Sequence, residues 1–183
     1  MNVAVCEYGA GNVRSVVVAF ERLGAGVRAT SSPADVAAAD LAVLPGVGSA
    51  ASAMAGLRER GLDTMLRERV AGGGSTLGIC LGLQLALEES EEDGCVSGLG
   101  LLPGRAVRIG EGRVPRIGWA PVDPGGDTFY FAHSYAAETP AAISRSEGIV
   151  AAAESGSFLG VQFHPEKSGA AGARFLARCL SRA

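Results

Sequence analysis

Histidine is scarce in this chain: there are two in 183 residues, at positions 133 and 164. Proton transfer near neutral pH therefore has only two ordinary candidates. Lysine is scarcer still, with Lys167 alone against fifteen arginines. The charged fraction is 19% and the formal net charge −3, so no basic surface for nucleic acid or an anionic membrane is indicated. No apolar run approaches the roughly 20 residues of a membrane helix. The start, MNVAVCEYGAGN, lacks the basic region and apolar stretch of a secretory signal. Four cysteines, at 6, 80, 95 and 179, are too dispersed for a metal-ligand pattern. Free thiols, a cytoplasmic setting and no metal or cofactor are the expectation.

The hydrophobic fraction is 48%, and no repeat or long linker divides the chain, so a single domain over 1–183 is expected. In the first half, strand-like and helix-like segments alternate. NVAVC (2–6), VRATS (27–31), LAVLPG (41–46) and GSTLGIC read as strands. GNVRSVVVAFERLG reads as a helix on its spacing of Val13, Val16, Val17, Phe20 and Leu23, with Gly24 as its stop. PADVAAAD opens a helix on proline. Residues 50–70 are helical in period with breaks at Gly56 and Gly61, and LGLQLALEES is a further helix. This alternation predicts a mostly parallel sheet with helices on both faces. Over 105–163 the short runs RAVRI, FYFAHSY, GIVAAAE and FLGVQF predict an antiparallel extension. In the closing helix AAGARFLARCLSR, Arg174, Arg178 and Arg182 form a solvated stripe, while Phe175, Leu176, Cys179 and Leu180 form a buried one.

Two stretches carry chemistry. In GICLG (78–82) an apolar strand runs into a helix with Cys80 at the junction and a glycine two residues to either side. This is the nucleophile-elbow pattern with cysteine for serine, and a helix N-terminus favours the thiolate. In QFHPE (162–166), His164 and Glu166 lie two apart after a strand-like run. In an extended chain held by Pro165 they face one direction, as a base and the carboxylate that orients it. A structural cysteine, a core histidine and a solvated glutamate are the plainer readings of each residue alone; the combination argues against them. A third stretch, LPGVGS (44–49), ends a strand in a glycine loop whose backbone N–H groups could meet an oxyanion. GAGN (9–12) is not a dinucleotide loop, because Arg14 stands where its third glycine belongs.

These stretches resemble the class I glutamine amidotransferases. Taken in order, EYGAGNVRSV, LPGVGS, GICLGLQL, ESEE, GLGLLPG, VPRIGW, YFAHSY and GVQFHPEKS are most similar to the glutaminase subunits of imidazole glycerol phosphate synthases, from about residue 3 to the last helix. The resemblance implies a flavodoxin-like three-layer α/β sandwich that hydrolyses the side-chain amide of glutamine. Cys80 would be the nucleophile, His164 the base and acid, and Glu166 its orienting group. Backbone N–H groups of Val47 and Leu81 would form the oxyanion hole. Gly46, Gly48, Gln84, Glu92, Ser134 and Tyr135 would bind glutamine. Ammonia would pass to a separate (βα)₈-barrel cyclase subunit, in a heterodimer that makes imidazole glycerol phosphate and the aminoimidazole carboxamide ribonucleotide for histidine biosynthesis.

Trp119, Lys167 and His133 would lie toward that partner. His133 serves equally as pocket lining, and Trp119 as a core or hairpin residue. Three positions depart from the family pattern: Arg116 where histidine is common, Ala120 where asparagine is common, and Glu7 where aspartate is usual. Two other classes remain open: a glutaminase of another synthase or a γ-glutamyl hydrolase, and a non-catalytic scaffold or thiol sensor.

Overall fold

The computed structural model describes residues 1–9, 11–110 and 112–183. Ala10, inside the GAGN stretch, and Glu111 lie outside the described residues. The first half follows the expected alternation: β1 (Asn2–Cys6), α1 (Val13–Glu21), β2 (Gly26–Thr30), α2 (Pro33–Ala38), β3 (Leu41–Leu44), α3 (Ala50–Glu59), α4 (Leu62–Ala71), β4 (Thr76–Ile79) and α5 (Leu81–Ala86). Then come β5 (Glu89–Ser90), β6 (Val96–Ser97), β7 (Arg105–Arg108), β8 (Arg116–Pro121), β9 (Thr128–His133), β10 (Tyr135–Glu138), β11 (Ala142–Ser146), β12 (Ile149–Ser155), β13 (Phe158–Val161) and α6 (Gly169–Arg182).

The main sheet has seven strands in the order β11-β12-β13-β4-β3-β1-β2. Its members from β13 to β2 run parallel, and β11 and β12 extend it antiparallel. Successive residues of a strand face opposite sides, which builds the three layers. Val3, Val5, Leu41, Val43, Leu77 and Ile79 pack toward Val16 and Phe20 of α1 and Leu176 and Cys179 of α6. Ala4, Cys6, Ala42 and Leu44 pack toward Met54 and Leu57 of α3, Leu62 and Leu66 of α4, and Leu81 and Leu85 of α5.

Several expectations shift in detail. The 50–70 helix breaks at Gly61, which is left-handed, but continues through Gly56, where a Cβ would stand 2.1 Å from the Tyr8 carbonyl oxygen. Gly56 is there for close packing and not as a breaker. The LGLQLALEES helix ends at Ala86, because Glu89–Ser90 pairs with β6 and β7. FYFAHSY is two strands in different sheets: β9 pairs with β8, and β10 with β7. The antiparallel extension of the main sheet therefore begins at Ala142; the strands of 105–138 join two smaller sheets instead, β10-β7-β5-β6 and β8-β9. In α6, Leu176 and Cys179 are buried, whereas Phe175 and Leu180 are half-buried. Arg174 reaches Asp127 and Arg182 reaches Glu154 along the expected exposed stripe.

The carboxyl ends of β1, β3, β4 and β13 open on one edge of the sheet. In an open parallel sheet that edge is where ligands bind, and every chemistry-bearing stretch named above begins there.

Candidate active site

Cys80 follows β4 directly and precedes α5, with φ 54° and ψ −105°. That is a strained conformation for a residue with a side chain, of the kind functional turns retain. The flanking glycines make the turn possible. A Cβ on Gly78 would lie 2.7 Å from the Phe158 ring and 2.9 Å from the Gly82 carbonyl group, and one on Gly82 would lie 2.0 Å from the Leu44 carbonyl oxygen. Gly82→Ala should therefore force β3 away from the elbow. Its expected cost is about 3 kcal/mol or more, read as a drop in the urea midpoint of unfolding.

His164 and Glu166 do meet: Nδ1 and Oε1 are 2.9 Å apart, and both side chains are almost fully buried. A carboxylate only accepts, so Nδ1 carries the hydrogen and Nε2 is left for the Cys80 sulfur. The route differs from the expected one. β13 ends at Val161, and Pro165–Lys167 is a turn of 3₁₀ helix, not a continued strand. Proline starts a helical turn readily because its φ already fits. The turn is closed by Lys167 N–H to the His164 carbonyl (3.1 Å) and Ser168 N–H to that of Pro165 (3.0 Å). The Ser168 hydroxyl ties it down by donating to the His164 carbonyl (2.6 Å) and accepting from Tyr130 N–H (3.0 Å). Phe163, stacked on Phe129 at 4.0 Å and edge-on to Phe175 at 5.3 Å, anchors the residue before the histidine.

Burial opposes a charge on His164. Hydrogen bonds to Cys80 and Glu166, and the charges of those two groups, outweigh it and raise its pKa from 6.5 to about 9. At neutral pH the imidazole is thus held protonated between sulfur and carboxylate. The other cysteines differ. Burial pushes Cys6 and Cys179 each up to about 12, and Cys95 is exposed. Two of the four thiols are therefore protonated spectators.

A cavity of about 240 Å³ opens on Cys80, lined by Val47, Gly48, Leu81, Gln84, Glu92, Pro115, Ile117, Ala132, His133, Ser134 and Tyr135. It is smaller than the roughly 300 Å³ where drug-sized pockets begin, a scale that suits a free amino acid. Glu92 is the one acidic group among these lining residues; it accepts from Ala50 N–H at the start of α3 (2.8 Å). Burial raises its pKa; the Ala50 bond opposes the shift and neighbouring Asp93 adds to it. Gln84 donates to the Tyr135 carbonyl (2.8 Å). Leu81 opens α5, so its N–H belongs to a first helical turn, without an intrahelical acceptor.

Gly46 is not in the cavity wall. It lies where the β3–α3 loop presses on the elbow, a Cβ there standing 2.6 Å from Leu81 Cβ. The Tyr8 hydroxyl donates to the Pro45 carbonyl and braces the same loop from the segment after β1. His133 is buried in the cavity wall, not on the outer face. Its Nδ1 donates to the Tyr135 carbonyl (2.8 Å), and burial pushes its pKa down to about 4 with help from the Arg116 and His164 charges, so it stays neutral. Trp119 and Lys167 are outside the cavity and exposed. Trp119 packs edge-on to Tyr130 at 5.9 Å, and the Lys167 ammonium stands 5.9 Å from the same ring. With β13 ending at Val161, Lys167 is placed by the 3₁₀ turn. Arg116 turns inward, 4.2 Å over the Phe131 ring and bonded to Ser146 and Glu147, and Ala120 is in the core. Among the described residues no three His, Cys, Asp or Glu side chains are grouped to hold a metal ion.

Sequence reasoning missed Gln162, whose amide reaches the Cys80 sulfur; Ala132, whose carbonyl faces it; and Tyr8 behind the loop. Gln162 belongs to the quoted QFHPE stretch, and its polarity at the end of a buried strand was the available signal.

The chain from residue 4 to 183 matches the family model described as glutamine amidotransferase class-I. It is 42% identical to the imidazole glycerol phosphate synthase subunit HisH of Mycolicibacterium paratuberculosis, over 99% of this chain and 98% of that one. It is 44% identical to the subunit of the same name from Methanothermobacter thermautotrophicus, over 93% of each. Among solved structures it resembles a glutamine amidotransferase with a TM-score of 0.80 at 21% identity, covering 98% of this chain and 97% of that one. It also resembles PurLQS from Thermotoga maritima with a TM-score of 0.75 at 18% identity, covering 99% and 98%.

Proposed function

Because the chain belongs to the class-I glutamine amidotransferase family, we propose that Cys80, His164 and Glu166 are its glutaminase triad and that its ammonia goes to a cyclase partner. The enzyme is a glutamine amidotransferase, the glutaminase subunit of an imidazole glycerol phosphate synthase of histidine biosynthesis. The whole of 1–183 acts as one amidotransferase domain, in the cytoplasm. No helix among the described residues is long and apolar enough to cross a membrane.

The observation that carries the assignment is the convergence of an elbow cysteine and a carboxylate-bound imidazole at a cavity whose acidic group is Glu92. Glu92 holds the α-ammonium of glutamine, with Gln84, Gly48 and the backbone of Ser134 and Tyr135 around it. Cys80 Sγ attacks the amide carbon, and the C=O electron pair moves to oxygen, facing the N–H groups of Val47 and Leu81. The intermediate collapses as the C–N bond breaks, and the His164 imidazolium gives its proton to the leaving nitrogen, so ammonia departs and a thioester remains. Water then attacks the thioester carbon while His164 takes its proton; the C–S bond breaks, the Cys80 thiolate and His164 imidazolium are restored, and glutamate leaves.

Support for a partner face comes from an apolar strip that starts at the cavity wall and runs outside it. Val47, Ile117 and Trp119 are 41%, 64% and 58% exposed, and Tyr130 and Lys167 continue the strip. Trp119 and Lys167 are assigned to the contact with a (βα)₈-barrel cyclase, His133 to the cavity wall. The test is glutamine hydrolysis by the chain with and without the cyclase of the same genome and its nucleotide. Strong stimulation is expected, and an unchanged rate would sink the partner assignment.

Glu92→Gln should raise KM for glutamine by about 10- to 100-fold, the worth of one charge-assisted hydrogen bond, with kcat little changed. In the wild type, burial makes this carboxylate titrate at higher pH than an ordinary glutamate. KM should therefore climb on acidification sooner than for a solvated carboxylate, and that climb should vanish in the variant.

A further inference from the structure

Gln162 is fully buried, on the segment that leads from β13 to His164. Its backbone N–H donates to the Ala151 carbonyl (2.9 Å), so the side chain starts from a fixed point. Two contacts define its amide. Nε2 lies 3.6 Å from Cys80 Sγ, and Oε1 accepts from Gln84 Nε2 at 3.1 Å. The orientation follows from the network. The Tyr135 carbonyl can only accept, so the Gln84 atom facing it is the NH₂ group. That same nitrogen reaches Gln162, which must therefore turn its oxygen to Gln84 and its own NH₂ to the sulfur.

The sulfur thus sits between two unlike neighbours. The Ala132 carbonyl, 3.9 Å away, can accept from a thiol but repels a thiolate. The Gln162 N–H group does the reverse: it gains a charge-assisted bond when the sulfur ionises, and such bonds are roughly twice as strong as neutral ones. His164 cannot provide this alone, because its proton must leave for ammonia during the reaction.

We propose that Gln162 is a further catalytic residue, an amide donor that holds the Cys80 sulfur as a thiolate and is itself held in register by Gln84. This inference rests on the reading of Cys80 as the nucleophile. It connects the substrate cavity to the nucleophile through one chain of bonds, Tyr135 carbonyl to Gln84 to Gln162 to sulfur.

The test is alkylation of the intact chain by iodoacetamide from pH 6 to 9, mapped peptide by peptide so that exposed Cys95 is an internal control. Gln162→Met keeps a similar length and removes the donor. Cys80 alkylation should fall about tenfold at pH 6 and approach the wild-type rate at pH 9, because a donor to charged sulfur matters least where alkali itself drives thiols toward ionisation. Cys95 should not change. Gln84→Met leaves Gln162 in place but frees its amide to turn, and should give the same pattern with a loss of about two- to threefold. It serves also if the first variant does not fold. A deficit equal at both pH values, or none, overturns the role of Gln162. A wild-type Cys80 whose alkylation rate rises from pH 6 to 9 as steeply as that of exposed Cys95 would instead overturn the nucleophile reading.

Discussion

Cys80→Ala should lower glutamine turnover by about 10⁴-fold or more, while glutamine should still bind within a few-fold of the wild-type affinity. The size follows from what is lost. The thioester path disappears, and the remaining contacts to Glu92 and Gln84 and the oxyanion donors can only orient glutamine toward water. Neither Cys6 nor Cys179 can substitute, since both are buried and their thiols are pushed up to about 12. Binding should survive because the substitution removes one sulfur atom from the cavity wall and leaves Glu92 and Gln84 in place. Isothermal titration of glutamine into the variant, beside a glutamate-release assay, separates the two outcomes. Turnover within tenfold of wild type would remove Cys80 from the mechanism.

Glu166→Gln is the second large effect, a fall in kcat of roughly 10²- to 10⁴-fold with KM nearly constant. The carboxylate accepts from His164 Nδ1 at 2.9 Å, which directs Nε2 to the sulfur and supports the imidazolium. An amide can present its NH₂ group instead, which favours the wrong tautomer and offers no charge to the imidazolium. The substitution also acts on stability. The folded pKa of His164, about 9, lies above its ordinary 6.5, so the folded state binds the extra proton between those values. The resulting stabilisation is fully present below about pH 6.5 and lost as pH rises through about 9. Urea unfolding of the wild type across that window should show the loss. In Glu166→Gln the slope should flatten, because one of the groups that raises the pKa is gone; an unchanged slope would assign the shift to other groups.

Much of this was legible in the sequence, because hydrophobic period and glycine placement report local physics. The alternation of β1 to α5 needed only apolar spacing, and the elbow needed only two glycines flanking a cysteine. What was not legible depended on the third dimension. The His164–Glu166 pair was expected from an extended chain, yet it is made by a 3₁₀ turn fastened by Ser168, a residue that signals nothing in sequence. Gly56 looks like a helix breaker until the Tyr8 carbonyl is found beneath it. FYFAHSY reads as one strand because Ser134 does not interrupt the pattern, and only pairing partners reveal two sheets. His133 and Arg116 could not be assigned a side without knowing that β8 and β9 turn them inward, away from Ile117 and Trp119.

The central claim, that Cys80 is a nucleophile activated beside a glutamine-binding cavity, is tested most directly by labelling with a diazo-ketone analogue of glutamine. The intact chain is treated near neutral pH, with the cyclase and its nucleotide present, and the adduct is mapped by peptide mass spectrometry. One equivalent at Cys80, suppressed by added glutamine and lost in His164→Ala, is the expected result. Labelling at exposed Cys95 in place of Cys80, or labelling of Cys80 that glutamine does not suppress, would contradict the account.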